Sequence, residues 1–117
     1  MTAYAIAHLR NLNINDEVLE YLECIQETMA PFGARFLVHN RKVEVMEGQW
    51  PGTVVLVEFP DVERARAWYA SPGYQAILPL RTRHIDGDII LVEGVGPDYD
   101  ARLTARDLRA AAAGSGG

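Results

Sequence analysis

Three segments of the chain predict β-strands whose two faces are both apolar. They lie at residues 3–9, 53–59 and 88–93, and in each of them aliphatic residues occupy successive positions. Successive side chains of a strand point to opposite faces of a sheet, so these strands are predicted to be buried on both sides. This requirement constrains the fold more than any other feature, because a sheet of such strands needs cover on each face.

The first helix is predicted at residues 16–30, where apolar residues recur at spacings of three and four. Asn15 or Asp16 is suited to cap its start, and Pro31 and Gly33 end it. Its apolar stripe consists of Val18, Leu22, Ile25, Met29 and Phe32. The glutamates of the segment then face solvent, which indicates an amphipathic helix packed against a sheet.

The middle of the chain adds a second strand and a second helix. Residues 33–39 are predicted as a strand, and residues 43–46 continue as a strand or hairpin arm. Asp61 is the predicted N-cap of the second helix, which ends at residues 71–73. One more short helical turn follows, and it is expected to stop or kink just before Pro79, whose ring clashes with the preceding turn.

The resulting order, β-α-β-β-α-β, predicts an α+β, ferredoxin-like fold with a four-stranded antiparallel sheet and two helices on one face. Two helices leave the other face in water, which exposes more apolar surface than monomers usually tolerate. We therefore expect a homodimer formed by sheet-to-sheet packing, with an interface above about 1,000 Å². The alternative is that a helix of the C-terminal tail, which offers only Leu103 and Leu108 as apolar anchors, folds over the open face.

Composition restricts the partners of the protein. The 117 residues indicate one domain, with a ferredoxin-like unit at residues 1–95 followed by a linker, an Ala-rich extension and a flexible Gly/Ser tail at residues 96–117. A net charge of −5 without a basic cluster argues against nucleic acid and against an anionic membrane surface. No signal peptide and no apolar run near 20 residues is recognisable, so we expect a cytoplasmic protein.

Among the charged residues, Glu47 is a candidate for chemistry, and Arg81 and Arg35 are candidates for binding a ligand. Glu47, beside Gly48 and Trp50, is a weak candidate for a general base, or it is a strand-end carboxylate paired with Arg35 or Arg81. Arg81 either clamps the carboxylate of a substrate or ties its own segment to Glu47.

The aromatic residues and histidines give a second set of candidates. Trp50, Tyr69 and Tyr74 either line an apolar cleft or belong to the core, and Tyr74 has the best position because it follows a helix end. His39, on the same strand face as Arg35, either projects into the interior or lies on the surface. The histidines lack metal-ligand spacing and Cys24 is the only cysteine, so no metal and no cofactor is predicted.

Several of these residues together resemble the domain-of-unknown-function 1330 (DUF1330) family. The most specific are Glu47, Gly48, Trp50, Trp68, Tyr69, Ser71, Pro72 and Tyr74. The resemblance covers about residues 3–95 and implies the ferredoxin-like fold and a dimer of the α/β-barrel group. It implies no established activity.

Two functions remain open at this point. The first is binding of a small organic molecule between sheet and helices, with or without cofactor-independent chemistry, which requires a cleft near Trp50, Tyr74 and Arg81. The second is a non-catalytic binding or assembly module, in which the aromatic and charged cluster is structural. That alternative requires the absence of a ligand-sized cavity and a hydrogen bond between Glu47 and Arg81.

Overall fold

A computed structural model describes residues 1–115 of the chain. Its elements are strand β1 (Ala3–Arg10), helix α1 (Asp16–Met29) with a 3-10 turn (Ala30–Phe32), strands β2 (Arg35–Val38) and β3 (Thr53–Phe59), helices α2 (Val62–Ala70) and α3 (Pro72–Thr82), strand β4 (Asp86–Glu93) and helix α4 (Ala101–Ser115). The strands form one antiparallel sheet in the order β2-β3-β1-β4. The predicted α+β, ferredoxin-like architecture is confirmed.

Side-chain caps explain where the three packed helices begin. The side chain of Asn15 accepts a hydrogen bond from the backbone N–H of Val18 at 3.0 Å, and that of Asp61 accepts one from Arg64 at 2.8 Å. Ser71 ends α2 and also caps α3. Each cap satisfies an N–H group that has no partner inside its helix, so the helix starts are fixed locally.

The core lies between the helices and one face of the sheet. Its buried members are Ala5 and Val57 and Phe59 from the sheet, Tyr21, Ile25 and Met29 from α1, Ala65 and Trp68 from α2, and Tyr74 from α3. Most of the predicted α1 stripe is buried, but Leu22 is 40% exposed and Tyr21 takes an inward position instead. The helix layer is therefore built around aromatic rings more than the stripe predicts.

The other side of the sheet, called the open face below, is apolar, and no helix within residues 1–115 covers it. Its side chains include Tyr4, Ile6 and His8 of β1, Val54 and Leu56 of β3, and Ile90 and Val92 of β4, which follow from the strand register. Ile90 is 55% exposed and Val92 is 42% exposed. The two-sided apolar character predicted for the strands is thus present in the fold.

The predicted strand or hairpin arm at residues 43–46 is wrong, because these residues belong to a loop between β2 and β3. β2 ends at Val38, and Asn40 follows with a φ of 53°. This left-handed conformation turns the chain out of the strand direction. The segment that follows pairs with no strand of residues 1–115, and the β-type sequence alone does not make it a strand.

A stop of α3 before Pro79 is also wrong, since the helix continues to Thr82, while the alternative of a kink at this point stays a prediction. Pro79 is exposed, so its ring and the carbonyl left without an N–H partner lie on the solvent side. Tyr74 and Arg81, on either side of the proline, are buried. Tertiary packing at both positions therefore holds the helix through a residue that disfavours it.

The C-terminal tail forms α4, and residues 101–114 of this helix are exposed. It does not cover the open face, where Ile90 and Val92 remain accessible. Of the predicted flexible Gly/Ser tail, residues 116–117 lie outside the described residues. Within the described part of the chain, no helix has the length and hydropathy needed to cross a membrane.

The proline inside α3 gives a test of this packing. We expect Pro79→Ala to raise the free energy of unfolding by about 1–3 kcal/mol, because an interior proline removes a helix hydrogen bond. Pro72→Ala, at the first position of the same helix where proline is tolerated, is the matched control and should change it by less than about 0.5 kcal/mol. Urea denaturation of both variants measures the difference, and equal values for the two would contradict this account of α3.

Candidate functional site

A cavity of about 500 Å³ lies between the sheet and the helices. All four strands contribute to its floor, and α1, α2 and α3 contribute to its roof. Most of the lining side chains are aliphatic or aromatic. On β1, the central strand beside β3 and β4, the residues facing the cavity include Ala5 and Ala7. Their short side chains leave space where larger ones would close the core.

The cavity extends from the core to the protein surface. At one extreme it is lined by Trp68 and Tyr74, which are buried. At the other it reaches Leu12, Ile14 and Asn40, which are all exposed at the surface. This mouth lies at the sheet end where β1 and β2 finish and β3 and β4 begin. A molecule from solvent has a route to the buried aromatic residues.

Three polar side chains meet in the cavity wall and are called the Arg81 cluster below: Tyr21 of α1, and Tyr74 and Arg81 of α3. The hydroxyl oxygens of Tyr21 and Tyr74 are 2.8 Å apart, which is a hydrogen bond. Cζ of Arg81 lies 5.6 Å from the ring centroid of Tyr21, within cation–π range. Tyr74 is 1% exposed and Arg81 is 5% exposed. The cluster is therefore a polar spot in an apolar interior.

The protonation states of the cluster follow from burial and from the two phenols. Burial, reinforced by the neighbouring Tyr74, raises the pKa of Tyr21 well above its usual value, so this phenol stays neutral. Burial lowers the pKa of Arg81, but the oxygens of Tyr21 and Tyr74 more than offset that effect and the pKa is raised. The arginine consequently carries a full positive charge at any physiological pH.

His39 also lines the cavity, and its ring stacks on Phe36 with centroids 4.4 Å apart. Burial lowers the pKa of His39 below its usual 6.5. The imidazole is therefore mainly neutral at pH 7 and is able to accept a proton. Tyr69 packs with its ring centroid 5.5 Å from that of Tyr74 but supports the wall from behind instead of lining the cavity.

The remaining sequence candidates lie away from the cavity. Trp50 stacks on His8, an open-face residue, at a centroid distance of 4.2 Å. Arg35 donates a hydrogen bond from Nε to Glu58 at 3.1 Å and does not pair with Glu47. Glu47 is exposed on the loop between β2 and β3, beside a separate shallow depression. The sheet thus divides the candidates, with Tyr74, Arg81 and His39 on the cavity side.

Tyr21 is the residue that the sequence reasoning missed. It lies three positions after Val18 and four before Ile25, so its spacing places it on the same helical face as the buried stripe. That spacing was a usable signal, but Leu22 satisfies the same pattern with a purely aliphatic side chain. Within residues 1–115 no group of three His, Cys, Asp or Glu side chains is arranged to hold a metal ion.

A family model described as a domain of unknown function, DUF1330, matches residues 2–95. The chain belongs to the DUF1330 family. No sequence match to a curated protein was found. The match covers the motifs at residues 47–50 and 68–74, and it brings no activity with it.

Solved structures show the same fold at low sequence identity. This DUF1330 protein is similar to a protein of unknown function from Rhodopseudomonas palustris, with 14% identity, coverage of 82% of this chain and 84% of the other, and a TM-score of 0.62. It is similar to SnoaB, a cofactor-independent oxygenase from Streptomyces nogalater, with 11% identity, coverage of 85% and 98%, and a TM-score of 0.58. A dimeric ferredoxin-like protein of unknown function from Thermobifida fusca shares 17% identity over 80% of this chain and 92% of its own, with a TM-score of 0.55.

The lowered pKa of His39 gives a pH test. The unfolded chain takes up this proton near pH 6.5, whereas the folded protein takes it up at lower pH, so the free energy of unfolding should fall as the pH drops below about 6.5. His39→Asn should remove that part of the pH dependence. Denaturation of both proteins between about pH 7 and pH 5 measures it, together with NMR titration of the imidazole. If the free energy of unfolding of wild type and His39→Asn changed in parallel with pH, the lowered pKa of His39 would be contradicted. An NMR-measured pKa of His39 at or above 6.5 would contradict it as well.

Proposed function

We propose that this DUF1330 protein binds a small, mostly apolar organic molecule in the cavity between sheet and helices. The observation that carries the proposal is the cavity itself, about 500 Å³ in volume, apolar over most of its wall and polar at the Arg81 cluster. Small-molecule sites in proteins typically have about 300–1,000 Å³, an apolar lining and a few polar groups that orient the ligand. The open mouth at Leu12 and Ile14 adds a route of entry.

The alternative of a purely structural cluster fits these features less well. It requires a filled core and a bond between Glu47 and Arg81, whereas the core is hollow and Glu47 lies on an exposed loop. Cavities of this size in cores are destabilising, since their walls lack contact partners. A hollow kept beside a buried cation supports a binding role over a role in stability alone.

His39 is the candidate proton acceptor for cofactor-independent chemistry, because its imidazole lines the cavity. Burial favours the neutral imidazole at pH 7, and the phenol of Tyr21 is too weak an acid to give up its proton there. The oxygenase activity of SnoaB belongs to that protein, and its likeness to this chain concerns the fold alone. We therefore propose ligand binding alone as the function, and His39 is the residue to test for proton transfer.

We also propose that two copies of the chain pack sheet against sheet through their open faces. The exposed Ile90 and Val92 continue the apolar surface of Ile6 and Leu56 across strands β4, β1 and β3. Covering this surface removes apolar side chains from water, which is favourable by roughly 25 cal/mol of free energy per Å² of buried apolar area. The Thermobifida fusca protein of the same fold is described as dimeric, which supports this assembly.

A cavity-filling substitution tests the binding proposal. We expect Ala7→Leu to place a larger side chain in the cavity, so that the free energy of unfolding is kept or raised while binding is lost. Ligand-observed NMR with a library of small aromatic and aliphatic fragments measures binding to wild type and variant. Ala76→Leu, on the exposed side of α3, is the matched control and should bind like wild type. Absence of any fragment binding to wild type, or equal binding to Ala7→Leu, would rule out the cavity as the site.

A charge on the open face tests the dimer. The wild-type chain of 13.0 kDa should sediment at twice that mass, and Ile90→Asp should sediment as a single folded chain, because two such carboxylates would be desolvated together. Leu19→Asp, on the exposed side of α1, is the control and should leave the dimer intact. Sedimentation velocity with circular dichroism separates dissociation from unfolding. A monomeric wild type would refute the proposed assembly.

A further inference from the structure

We infer that the molecule bound in the cavity is an organic anion, and that its carboxylate group is held by Arg81 together with one hydroxyl of the Tyr21–Tyr74 pair. The inference rests on the proposed function, since it names the chemical class of the ligand for the same cavity. Three features of the Arg81 cluster lead to it: a buried charge without an ion pair, a hydroxyl proton not used in the Tyr21–Tyr74 hydrogen bond, and the position of all three side chains in the cavity wall.

The charge of Arg81 has no counter-charge in the fold. The side chain is 5% exposed, and none of the ion pairs formed within residues 1–115 includes it. Its neighbours Tyr21 and Tyr74 are phenols, and burial keeps Tyr21 neutral. Buried arginines are normally paired with a carboxylate, because an isolated charge is poorly solvated in the interior. A bound anion supplies the missing partner.

The two phenols leave one hydrogen-bond donor without an acceptor. Tyr21 and Tyr74 carry one O–H group each, and a single bond of 2.8 Å joins their oxygens. One proton is used in that bond, and no other hydrogen bond within the described chain has either hydroxyl as its donor. The second proton remains for a further acceptor. A guanidinium and an O–H donor at the same point in the wall offer hydrogen bonds that suit a carboxylate.

Space for the carboxylate is the cavity itself. Tyr21, Tyr74 and Arg81 all line it, so the guanidinium and the phenols share the wall of a volume of about 500 Å³. The planar guanidinium suits a bidentate contact with a carboxylate bound in that volume.

The rest of the cavity determines the body of the ligand. Away from the Arg81 cluster most of its wall is apolar, for example at Ala7, Val55 and Ile89, and its other polar members are His39, Asn40 and Thr53. An inorganic anion would satisfy Arg81 and leave most of the 500 Å³ unfilled. The wall therefore favours an aromatic or aliphatic carboxylic acid over phosphate, sulfate or a polar metabolite.

Matched acids and amides test this inference on the full-length protein. Wild type is titrated by calorimetry with 1-naphthoate and 1-naphthamide and with phenylacetate and phenylacetamide, pairs that differ in charge but scarcely in shape. We expect the acids to bind about tenfold or more tightly than the amides, since hydrogen bonds to charged groups are the stronger ones. Arg81→Gln should abolish this preference while the amides still bind, and Tyr21→Phe should weaken the acids severalfold.

Controls separate a folding defect from a binding defect. Arg83→Gln removes an exposed arginine next to the site, which pairs with Glu17, and should keep the preference for acids. Arg81→Lys keeps a charge without the planar fork and should bind acids more weakly than wild type if Arg81→Gln does not fold. Circular dichroism checks each variant.

The outcomes distinguish the two proposals. Equal binding of acids and amides to wild type would overturn the anion assignment and leave the cavity as a binding site. Binding of inorganic phosphate as tightly as 1-naphthoate would also overturn it, because the apolar body would then contribute nothing. No binding of any acid, amide or neutral fragment to wild type would overturn the proposed function and this inference together.

Discussion

The hydrogen bond between the hydroxyl groups of Tyr21 and Tyr74 is the contact around which the helix layer is arranged. It joins α1 to α3 at 2.8 Å in a buried position, and Arg81 lies against the ring of Tyr21 at the same place. The hydrogen bond ties α1 to α3 in the wall of the cavity, and it places two phenol oxygens beside the buried charge of Arg81.

The central strand provides the other half of that arrangement. On its helix-facing side β1 carries Ala3, Ala5 and Ala7, opposite Phe59, Val57 and Val55 of β3. The short side chains of β1, which lies between β3 and β4, leave unfilled space between the sheet and the helices. An ordinary core would place leucine or isoleucine here and gain stability. The alternation of alanine is therefore the sequence feature that makes room for a ligand, although in the sequence it indicates only a buried strand.

How far the sequence predicts the structure depends on whether local or tertiary forces decide. Local chemistry determines the helix starts and the β3 run: the cap at Asp61 and the strand were predicted, and the cap of α1 was predicted at Asn15 or Asp16. The extension of α3 through Pro79 and the loss of a strand at residues 43–46 depend on packing and on available partners, so the local pattern gave the wrong answer. The candidate site was predictable in part: Tyr74 and Arg81 were named, but their pairing with Tyr21 requires two helices to meet in space.

The position of Trp50 is a further example of a feature that depends on tertiary structure. It also shows that the sheet separates the cavity from the open face. In sequence it stands in one motif with Glu47, yet in the fold it stacks on His8 across the sheet from Arg81. β1 contributes to both sides through its two-residue period, with alanines toward the cavity and Tyr4 and Ile6 toward the open face. Because each β1 side chain reaches only one side, substitutions at its odd positions act first on the cavity and those at its even positions act first on the surface proposed for assembly. β1, one of the two interior strands of the sheet, thus contributes to both proposals without making either depend on the other.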